Sequence, residues 1–571
     1  MRDETCKSYK IPPMDDMINQ MTTSVRVFGK ALTLGLGLLV LLSACASKQS
    51  AQQVFMPTEA AIGEDLYFPY AITQATIGEG LRNISTRYID PISVQTLAIS
   101  GMRGLATIDP KINVAFDKDR MDIEMIKGGT IVAHLVTPLD NTTEAWASVV
   151  TKFIRITRLH SPDTKHSDSE RILEAVFDGM MSNLDIFSRY AGREQAKTNR
   201  AQRDGFGGIG IRFSIDKNDI LITHVTPKSP ASNAGLKPGD LIVKVQGFPI
   251  HAHSKRNVKK LLHGPVGSLL SLTVERLSSQ QNTKLRHIDF NIQRSHIIPE
   301  TVRAEIKSNI LIIHISSFNN NTSTSVHSVL NRHKKKLSNG IIRGIVLDLR
   351  GNPGGLLSQS VTVADLFLKK GRIITTHGRH ADSVHEYEAR GVDLTNGLPL
   401  VILIDGNSAS AAEIVASALQ DLGRAVLIGS ESYGKGTVQT VTRLPNDGEM
   451  TLTWSRLISP TGYALHGLGV MPAVCITNTG LNFEQTESIS KAILDPTHIK
   501  RQQAGMLTWH AKGSIFDGTR KGLRKACPAQ VFTKKRSSDL LFKLADRVIK
   551  DRVLYRQAIL MPAPTNTAFR Q

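Results

Sequence analysis

The sequence predicts a multidomain α/β protein, and three patterns support that prediction. Residues 310–350 show strand, helix and strand patterns in turn, the order typical of a parallel strand–helix unit. Residues 204–293 contain short strand patterns separated by turn residues, and residues 61–200 predict mainly helices. The length of 571 residues exceeds one ordinary domain, and 41% hydrophobic content suits globular cores rather than a membrane-embedded protein.

Residues 400–421 predict a buried strand that runs into a helix. Leu400–Ile404 is an uninterrupted apolar run rich in β-branched residues, which suits a strand buried on both faces. Ser408 or Ser410 can cap the helix that follows, and Glu413 suits its first turn. Ser410 therefore lies at a strand-to-helix turn, near backbone N–H groups that can stabilise an oxyanion. A serine nucleophile needs that placement.

The segment Gly434–Val441 supplies a possible base. It predicts an extended chain, in which Lys435 and Gln439 have equal parity and are expected to share a face. A lysine can serve as the base of a serine nucleophile if burial lowers its pKa. A serine at a helix start is by itself more often a cap, and G-K-G alone is more often a turn. The prediction of catalysis therefore depends on finding both motifs in this order and at this spacing.

The two motifs, S-A-S-A-x-E-I and G-K-G-x-V-Q, resemble the signature of the carboxy-terminal processing, or tail-specific, serine peptidases. This resemblance implies that Ser410 is the nucleophile and Lys435 the general base. It implies that Gln439 orients the lysine, and that Glu413 and Asp421 are supporting acidic residues. The resemblance also implies an endopeptidase that needs no cofactor and no metal.

A glycine motif resembles the oxyanion site of the same family. The predicted strand at 342–350 ends in D-L-R-G-N-P-G-G. The resemblance implies that Gly354, or its neighbour Gly355, donates one N–H group to the oxyanion and that Ala411 donates the other. A Gly-Gly turn alone would predict only the entry into a helix, which we expect here as well.

Residues 201–295 resemble a PDZ domain, most clearly in the motif S-P-A-x-x-A-G-L-x-P-G-D at 229–240. Such a domain adds a peptide strand to a sheet edge and captures its terminal carboxylate with backbone N–H groups. The resemblance implies a carboxylate loop and an apolar pocket. The loop consists of Gly208, Ile209 and Gly210, and the pocket residues are Ile211, Val258, Leu261 and Leu262. Glycines that merely turn a strand are the alternative.

The N-terminal 44 residues resemble a bacterial lipoprotein signal. Basic residues precede an apolar stretch at 31–42 that is short for a bilayer span, and L-S-A-C ends it at Cys45. An ordinary signal or a single anchor helix is the alternative. The resemblance implies a mature chain that starts at lipidated Cys45, in the bacterial periplasm. Ala46 and Ser47 replace the aspartate that signals inner-membrane retention, which favours an anchor in the outer membrane.

The net charge of +20 could favour anionic membranes or nucleic acid. We find no nucleic-acid motif, so we expect no nucleic-acid partner and interpret the charge as surface electrostatics. Cys475 and Cys527 would remain in a compartment where disulfides persist, but the sequence leaves their pairing open.

These interpretations divide the chain into six segments. They are a signal peptide (1–44), a tether (45–60), a mainly helical N-terminal region (61–200), a PDZ domain (201–295), a serine peptidase core (296–480) and a basic C-terminal extension (481–571). The extension contains an amphipathic helix pattern from Asp539, and its role stays open.

The predicted function is a serine endopeptidase that recognises C-terminal tails of envelope proteins through the PDZ domain and cleaves them with a Ser-Lys dyad. A non-catalytic PDZ lipoprotein adaptor is the alternative. The expected partners are proteins or peptides with free C-terminal tails, and the membrane through the N-terminal lipid. The sequence leaves open the specific substrate, the cleavage-site preference, the oligomeric state and any adaptor.

Overall fold

The computed structural model describes residues 67–216, 219–250, 255–277, 285–476, 491, 494–513, 520–532 and 535–559. The predicted signal peptide, Cys45, the predicted tether and the rest of the chain before residue 67 lie outside the described residues. Among those described, no helix combines the length and apolarity needed to span a bilayer.

The N-terminal region is built from helices around a hydrophobic core, with one small sheet. Its elements are α1 (Tyr70–Arg87), α2 (Val94–Gly104), β1 (Ile112–Asp117), β2 (Asp122–Lys127), β3 (Thr130–Val136), α3 (Thr143–His160), α4 (Pro162–His166), α5 (Ser169–Met181), β4 (Arg189–Ala191) and α6 (Arg193–Asp204). The antiparallel sheet β1-β2-β3 was missed by the helical prediction. Its strands are only six or seven residues long and bury few side chains, two in β2 (Ile123 and Met125) and only Leu135 in β3, so the alternation that marks a strand is short.

The region predicted as a PDZ domain follows. Its elements are β5 (Phe206–Gly208), β6 (Ile211–Asp216), β7 (Asp219–Val225), α7 (Pro230–Ala234), β8 (Leu241–Val245), β9 (Phe248–Pro249), α8 (Lys255–Leu262), β10 (Leu269–Leu277), β11 (Leu285–Gln293) and β12 (Ser295–Ile297). Its sheet has the strand order β11-β10-β8-β7-β6, with β9 paired to β8. The short strands β5 and β12 pair with each other in a separate ribbon at the two ends of the domain. The chain therefore enters and leaves the PDZ domain through one antiparallel pair.

The region predicted as the peptidase core contains two sheets. Its elements are β13 (Val302–Lys307), β14 (Ile310–Ile315), α9 (Thr322–Arg332), α10 (Lys334–Ser338), β15 (Gly344–Asp348), α11 (Leu357–Asp365), β16 (Arg372–His377), β17 (His385–Glu388), β18 (Leu400–Ile404), α12 (Ala411–Asp421), β19 (Val426–Gly429), β20 (Thr437–Arg443), β21 (Glu449–Ile458) and β22 (Val474–Cys475). The first sheet has the order β13-β14-β15-β18-β19-β22 and is parallel except for β13. Strands β15, β18 and β19 are buried at every position, as expected for a parallel sheet covered on both faces.

The second sheet of the core has the order β17-β16-β21-β20, and β4 from the N-terminal region pairs with β21. This pairing brings Arg189 and Tyr190 beside Thr451 and Met450. The segment 184–190 is thereby fixed to β21, the strand that also pairs with β20, which follows Lys435.

The segment predicted as a C-terminal extension shares the hydrophobic core of the peptidase. Its helices are α13 (Pro496–Gly513), α14 (Arg520–Leu523), α15 (Lys535–Lys550) and α16 (Arg552–Ala558). Helix α15 packs on β15, β18 and β19 with Leu541 and Leu544 fully buried. A side chain at Gly344 would meet Ile549 at 2.4 Å, so the bare backbone of β15 lets α15 approach closely. Cys475 and Cys527 form a disulfide, which links β22 to the segment before α15.

Candidate active site

Ser410 occupies a strained turn between β18 and α12. It is the N-cap of α12 and has a φ angle of +53°, a left-handed conformation that costs a non-glycine residue roughly 1–3 kcal/mol. Ser408 does not cap the helix. Its hydroxyl instead donates to the carbonyl of Leu349 at 2.9 Å, which ties the turn to the end of β15. The surroundings therefore hold Ser410 in its strained conformation.

The glycine loop after β15 lies against Ser410. A Cβ atom added to Gly354 would stand 2.9 Å from the Cβ atom of Ser410 and 3.1 Å from the nitrogen of Ala411. Gly354 also has a φ angle of +101°, so both space and conformation require glycine. The proposed oxyanion donors Gly354 and Ala411 are therefore brought together beside the serine.

The N–H group of Gly354 already has an acceptor inside the loop. It donates to Oδ1 of Asn352 at 2.8 Å, and Nδ2 of this fully buried asparagine donates to the carbonyl of Ile315. Gly354 accepts a hydrogen bond from Phe318, and the Leu356 N–H donates to the Phe318 carbonyl. The Gly354 carbonyl thus faces Phe318. The Gly355 N–H belongs to the same trans peptide group and therefore points away from Phe318. This geometry favours Gly355, the alternative donor, over Gly354.

Lys435 lies in the connection between β19 and β20, where it is partly buried. Its Nζ atom is 5.0 Å from the ring centre of Phe187. Burial lowers the pKa of Lys435, and the positive charge of Arg189 lowers it further, whereas Glu413 and Asp185 oppose the change. The net direction is the one that a lysine base requires, because only the neutral amine can accept a proton.

The carboxylate of Glu413 connects the serine to the lysine. It is fully buried and accepts four hydrogen bonds. Its Oε2 atom accepts from the backbone N–H groups of Ser410 at 2.6 Å and Lys435 at 3.0 Å. Its Oε1 atom accepts from the Ser432 hydroxyl at 2.5 Å and the Gly434 N–H at 2.7 Å. Burial raises the pKa of Glu413, and these hydrogen bonds oppose that rise.

Gln439 is oriented by threonines of β20 and of the neighbouring β21. Strand β20 begins only at Thr437, and its register with β21 shifts between Val438 and Gln439, so strand parity does not relate Gln439 to Lys435. The amide nitrogen of Gln439 donates to the hydroxyls of Thr437 at 2.8 Å and Thr453 at 3.3 Å. Its role in orienting the lysine stays a prediction.

Asp421 lies at the end of α12 opposite Ser410, about 16 Å away along the helix axis. Its Oδ2 atom accepts from the Thr461 hydroxyl at 2.8 Å, and its Oδ1 atom is 3.6 Å from Nε2 of His510. These contacts tie α12 to the turn after β21 and to α13. Any support that Asp421 gives to catalysis therefore acts through the position of the helix.

The predicted peptide site of the PDZ domain surrounds the start of β6. The carbonyls of Ile209 and Gly210 accept from Ala231 and Thr226, which anchors the loop on α7 and β7. Gly208 belongs to the ribbon with β12. The side chains predicted for the pocket join one hydrophobic cluster, in which Val258 and Leu262 are buried with Ile209, and Ile211 and Leu261 are partly buried. The roles of these residues in peptide binding stay predictions.

Four residues of the site were not predicted from the sequence. Phe187 and Arg189 lie in the region predicted only as mainly helical, and no role was predicted for either of them. Asn352 is visible in the sequence of the glycine motif, but its buried hydrogen bonds depend on the fold. Ser432 has no sequence signal, because its contact with Glu413 depends on the fold.

Two family profiles match the chain. A profile of peptidase family S41 matches residues 309–476, and a PDZ-domain profile matches residues 207–289. The chain is 35% identical over 310 residues to a carboxy-terminal-processing protease of Bartonella bacilliformis, covering 54% of this chain and 70% of that protein. It is 32% identical over 362 residues to a probable CtpA-like serine protease of Staphylococcus aureus, covering 61% and 69% respectively.

A solved photosystem II D1 C-terminal processing protease is similar with 21% sequence identity, over 70% of this chain and 92% of that one. Its TM-score of 0.35 is too low to support an argument of its own. The two sequence relatives are more informative, since each is more than 30% identical and is covered over more than two thirds of its length. The chain therefore belongs to peptidase family S41, the carboxy-terminal-processing serine proteases, and contains a PDZ domain.

Proposed function

We propose that this protein is a serine endopeptidase in which Ser410 and Lys435 form the catalytic dyad. The observation that carries the proposal is the shared acceptor, Oε2 of Glu413, which binds the backbone N–H groups of both residues. The backbone nitrogens of Ser410 and Lys435 lie 2.6 Å and 3.0 Å from this one oxygen, so the distance between them cannot exceed the sum of these two distances. One buried atom thus holds a strained serine beside a lysine whose pKa is lowered.

The proposed reaction proceeds through an acyl-enzyme. The Oγ atom of Ser410 attacks the carbonyl carbon of the scissile peptide bond while neutral Lys435 takes the hydroxyl proton. The N–H groups of Ala411 and of Gly355 or Gly354 stabilise the negative oxygen of the tetrahedral intermediate. Lys435 then gives its proton to the leaving amine, the peptide bond breaks, and the acyl-enzyme remains. Water attacks this ester with Lys435 again as base, which releases the new C-terminus and restores Ser410.

We propose that the PDZ domain selects substrates by their free C-terminal tails and that these substrates are envelope proteins. The loop supports this proposal, because the carbonyls of Ile209 and Gly210 face Ala231 and Thr226, so the N–H groups of the same two peptide bonds point the opposite way. The adaptor alternative accounts for the PDZ domain alone. It leaves the strained serine and the buried lysine without a use.

We further propose that the mature protein is anchored by lipid on Cys45, in the periplasm and preferably at the outer membrane. The signal-like sequence at 1–44 supports this proposal. The mass of the mature N-terminal peptide tests it, since a free or absent Cys45 would exclude the anchor.

Lys435→Arg should be as inactive as Lys435→Ala, with a loss of roughly 10²–10⁴-fold in kcat. Arginine keeps its proton at any workable pH and cannot act as a base. Cleavage of a tailed peptide by the purified variants measures the loss, and Lys370→Arg, at an exposed site, is the matched control. Substantial activity of Lys435→Arg would refute the dyad.

Arg189→Gln should move the acidic limb of the pH–kcat/KM profile to higher pH. The charge of Arg189 lowers the pKa of Lys435, so its removal raises that pKa, and a higher pH is then needed to obtain the neutral base. The shift should shrink at high ionic strength, because Arg189 is exposed. Lys370→Gln is the control, and an unmoved limb or a shift toward lower pH contradicts the account.

Amidation of a substrate's C-terminus should weaken both its cleavage by the unmutated enzyme and its binding to Ser410→Ala. The amide removes the charge that the N–H groups of the loop are proposed to capture. Free-acid and amidated forms of one peptide are compared by cleavage rate and by calorimetric titration. Equal results for the two forms would mean that the PDZ domain recognises something other than a chain end.

A further inference from the structure

The C-terminal segment that follows α14 lies against the loop that presents Lys435. Arg524 places its guanidinium over this loop. Its Nη2 atom donates to the carbonyl of Ser432 at 3.0 Å, and its Nη1 atom donates to the carbonyl of Tyr433 at 3.2 Å. Arg524 therefore binds two successive carbonyls, both within three residues of the lysine.

The same guanidinium pairs with a buried carboxylate of the loop. Its Nε atom lies 2.5 Å from Oε1 of Glu431, whose side chain is fully buried. Burial raises the pKa of Glu431 to about 8, the charge of Glu413 acts in the same direction, and Arg524 opposes both. The planar guanidinium thus lies against Glu431 while it donates to two carbonyls, an arrangement that the compact ammonium of a lysine cannot match.

The backbone after Arg524 holds both active-site loops. The carbonyl of Gln530 accepts from the Gly406 N–H at 2.6 Å and from the Ser430 hydroxyl at 2.9 Å. The backbone N–H of Gln530 donates to the same Ser430 hydroxyl. Gly406 lies in the turn that leads to Ser410, and Ser430 begins the loop that leads to Lys435. The Cys475–Cys527 disulfide, three residues from Arg524 and three from Gln530, fixes this segment to β22.

We propose that Arg524 is a positioning residue for Lys435, and that the Cys475–Cys527 disulfide holds it in place. The proposal rests on the proposed role of Lys435 as base. Arg524 touches neither Lys435 nor the reacting atoms. It keeps Ser432 and Gly434 where they can donate to Glu413, which in turn holds the backbone of Lys435. Both Arg524 and Cys527 lie beyond residues 309–476, where the family profile matches.

The test compares Arg524→Met, Arg524→Lys and the neighbouring exposed control Lys525→Met in the full chain. We expect Arg524→Met to lower kcat by about 10- to 100-fold with KM changed by less than about twofold, since a small displacement of a catalytic group has an effect of that size. Arg524→Lys should recover part of kcat, and Lys525→Met should match the unmutated protein.

The pH–kcat profile separates positioning from simple loss of structure. A loosened loop admits water to Lys435, which raises the pKa of the lysine, so the acidic limb of Arg524→Met should move to higher pH. Circular dichroism checks the fold. If Arg524→Met does not fold, kcat and the pH–kcat profile of Arg524→Lys test the proposal instead. An unchanged kcat and an unmoved limb in the folded variant overturn the proposal.

The disulfide is tested with Cys475→Ser/Cys527→Ser. We expect a fall in kcat in the same direction as for Arg524→Met, and an unchanged kcat would overturn the role of the disulfide. Lys435→Ala distinguishes this proposal from the proposed function. If Lys435→Ala is inactive and Arg524→Met is fully active, only the positioning role fails. If Lys435→Ala is active, the dyad itself fails.

Discussion

The buried carboxylate of Glu413 is the interaction on which the rest of the active site depends. A fully buried charge is costly unless it is hydrogen-bonded, and Glu413 meets that requirement with four donors from three places in the chain: Ser410, Ser432 and the Gly434–Lys435 backbone. The geometry of the serine and the lysine is therefore not set by direct contact between them. It follows from the four hydrogen bonds that the buried carboxylate of Glu413 requires.

The fold supplies those partners by burial. The parallel strands β18 and β19 end at the same edge of the sheet, so the turns that follow them, which carry Ser410 and Ser432, must lie close together. Helix α12 packs with every residue buried, which prevents Glu413 from turning toward solvent. Helix α15 packs on β15, β18 and β19 of the same sheet. The C-terminal segment thereby contributes to the core as well as to the loop of Lys435.

Much of the site could be predicted from the sequence because its signals are local. The apolar run Leu400–Ile404 and the helix after Ser410 are visible in consecutive residues, and the structure has the strand at those bounds. What could not be predicted depends on irregular or distant contacts. The register shift before Gln439 means that strand parity does not place Gln439 and Lys435 on one face. Arg524 contacts a loop about ninety residues earlier in the chain. The hydrogen bond from Gly354 to Asn352, which bears on whether Gly354 or Gly355 is the oxyanion donor, also depends on the fold.

The most direct test of the central role of Glu413 is the rate at which a fluorophosphonate labels Ser410 in Glu413→Gln. The amide nitrogen of glutamine cannot accept hydrogen bonds, so one pair of donors, at Oε1 or at Oε2, loses its partner. Peptide mass spectrometry locates and times the label, with exposed Glu388→Gln as the control. The account predicts labelling at Ser410 that is at least about tenfold slower in the folded Glu413→Gln protein. Labelling of Ser410 at the unmutated rate would contradict it.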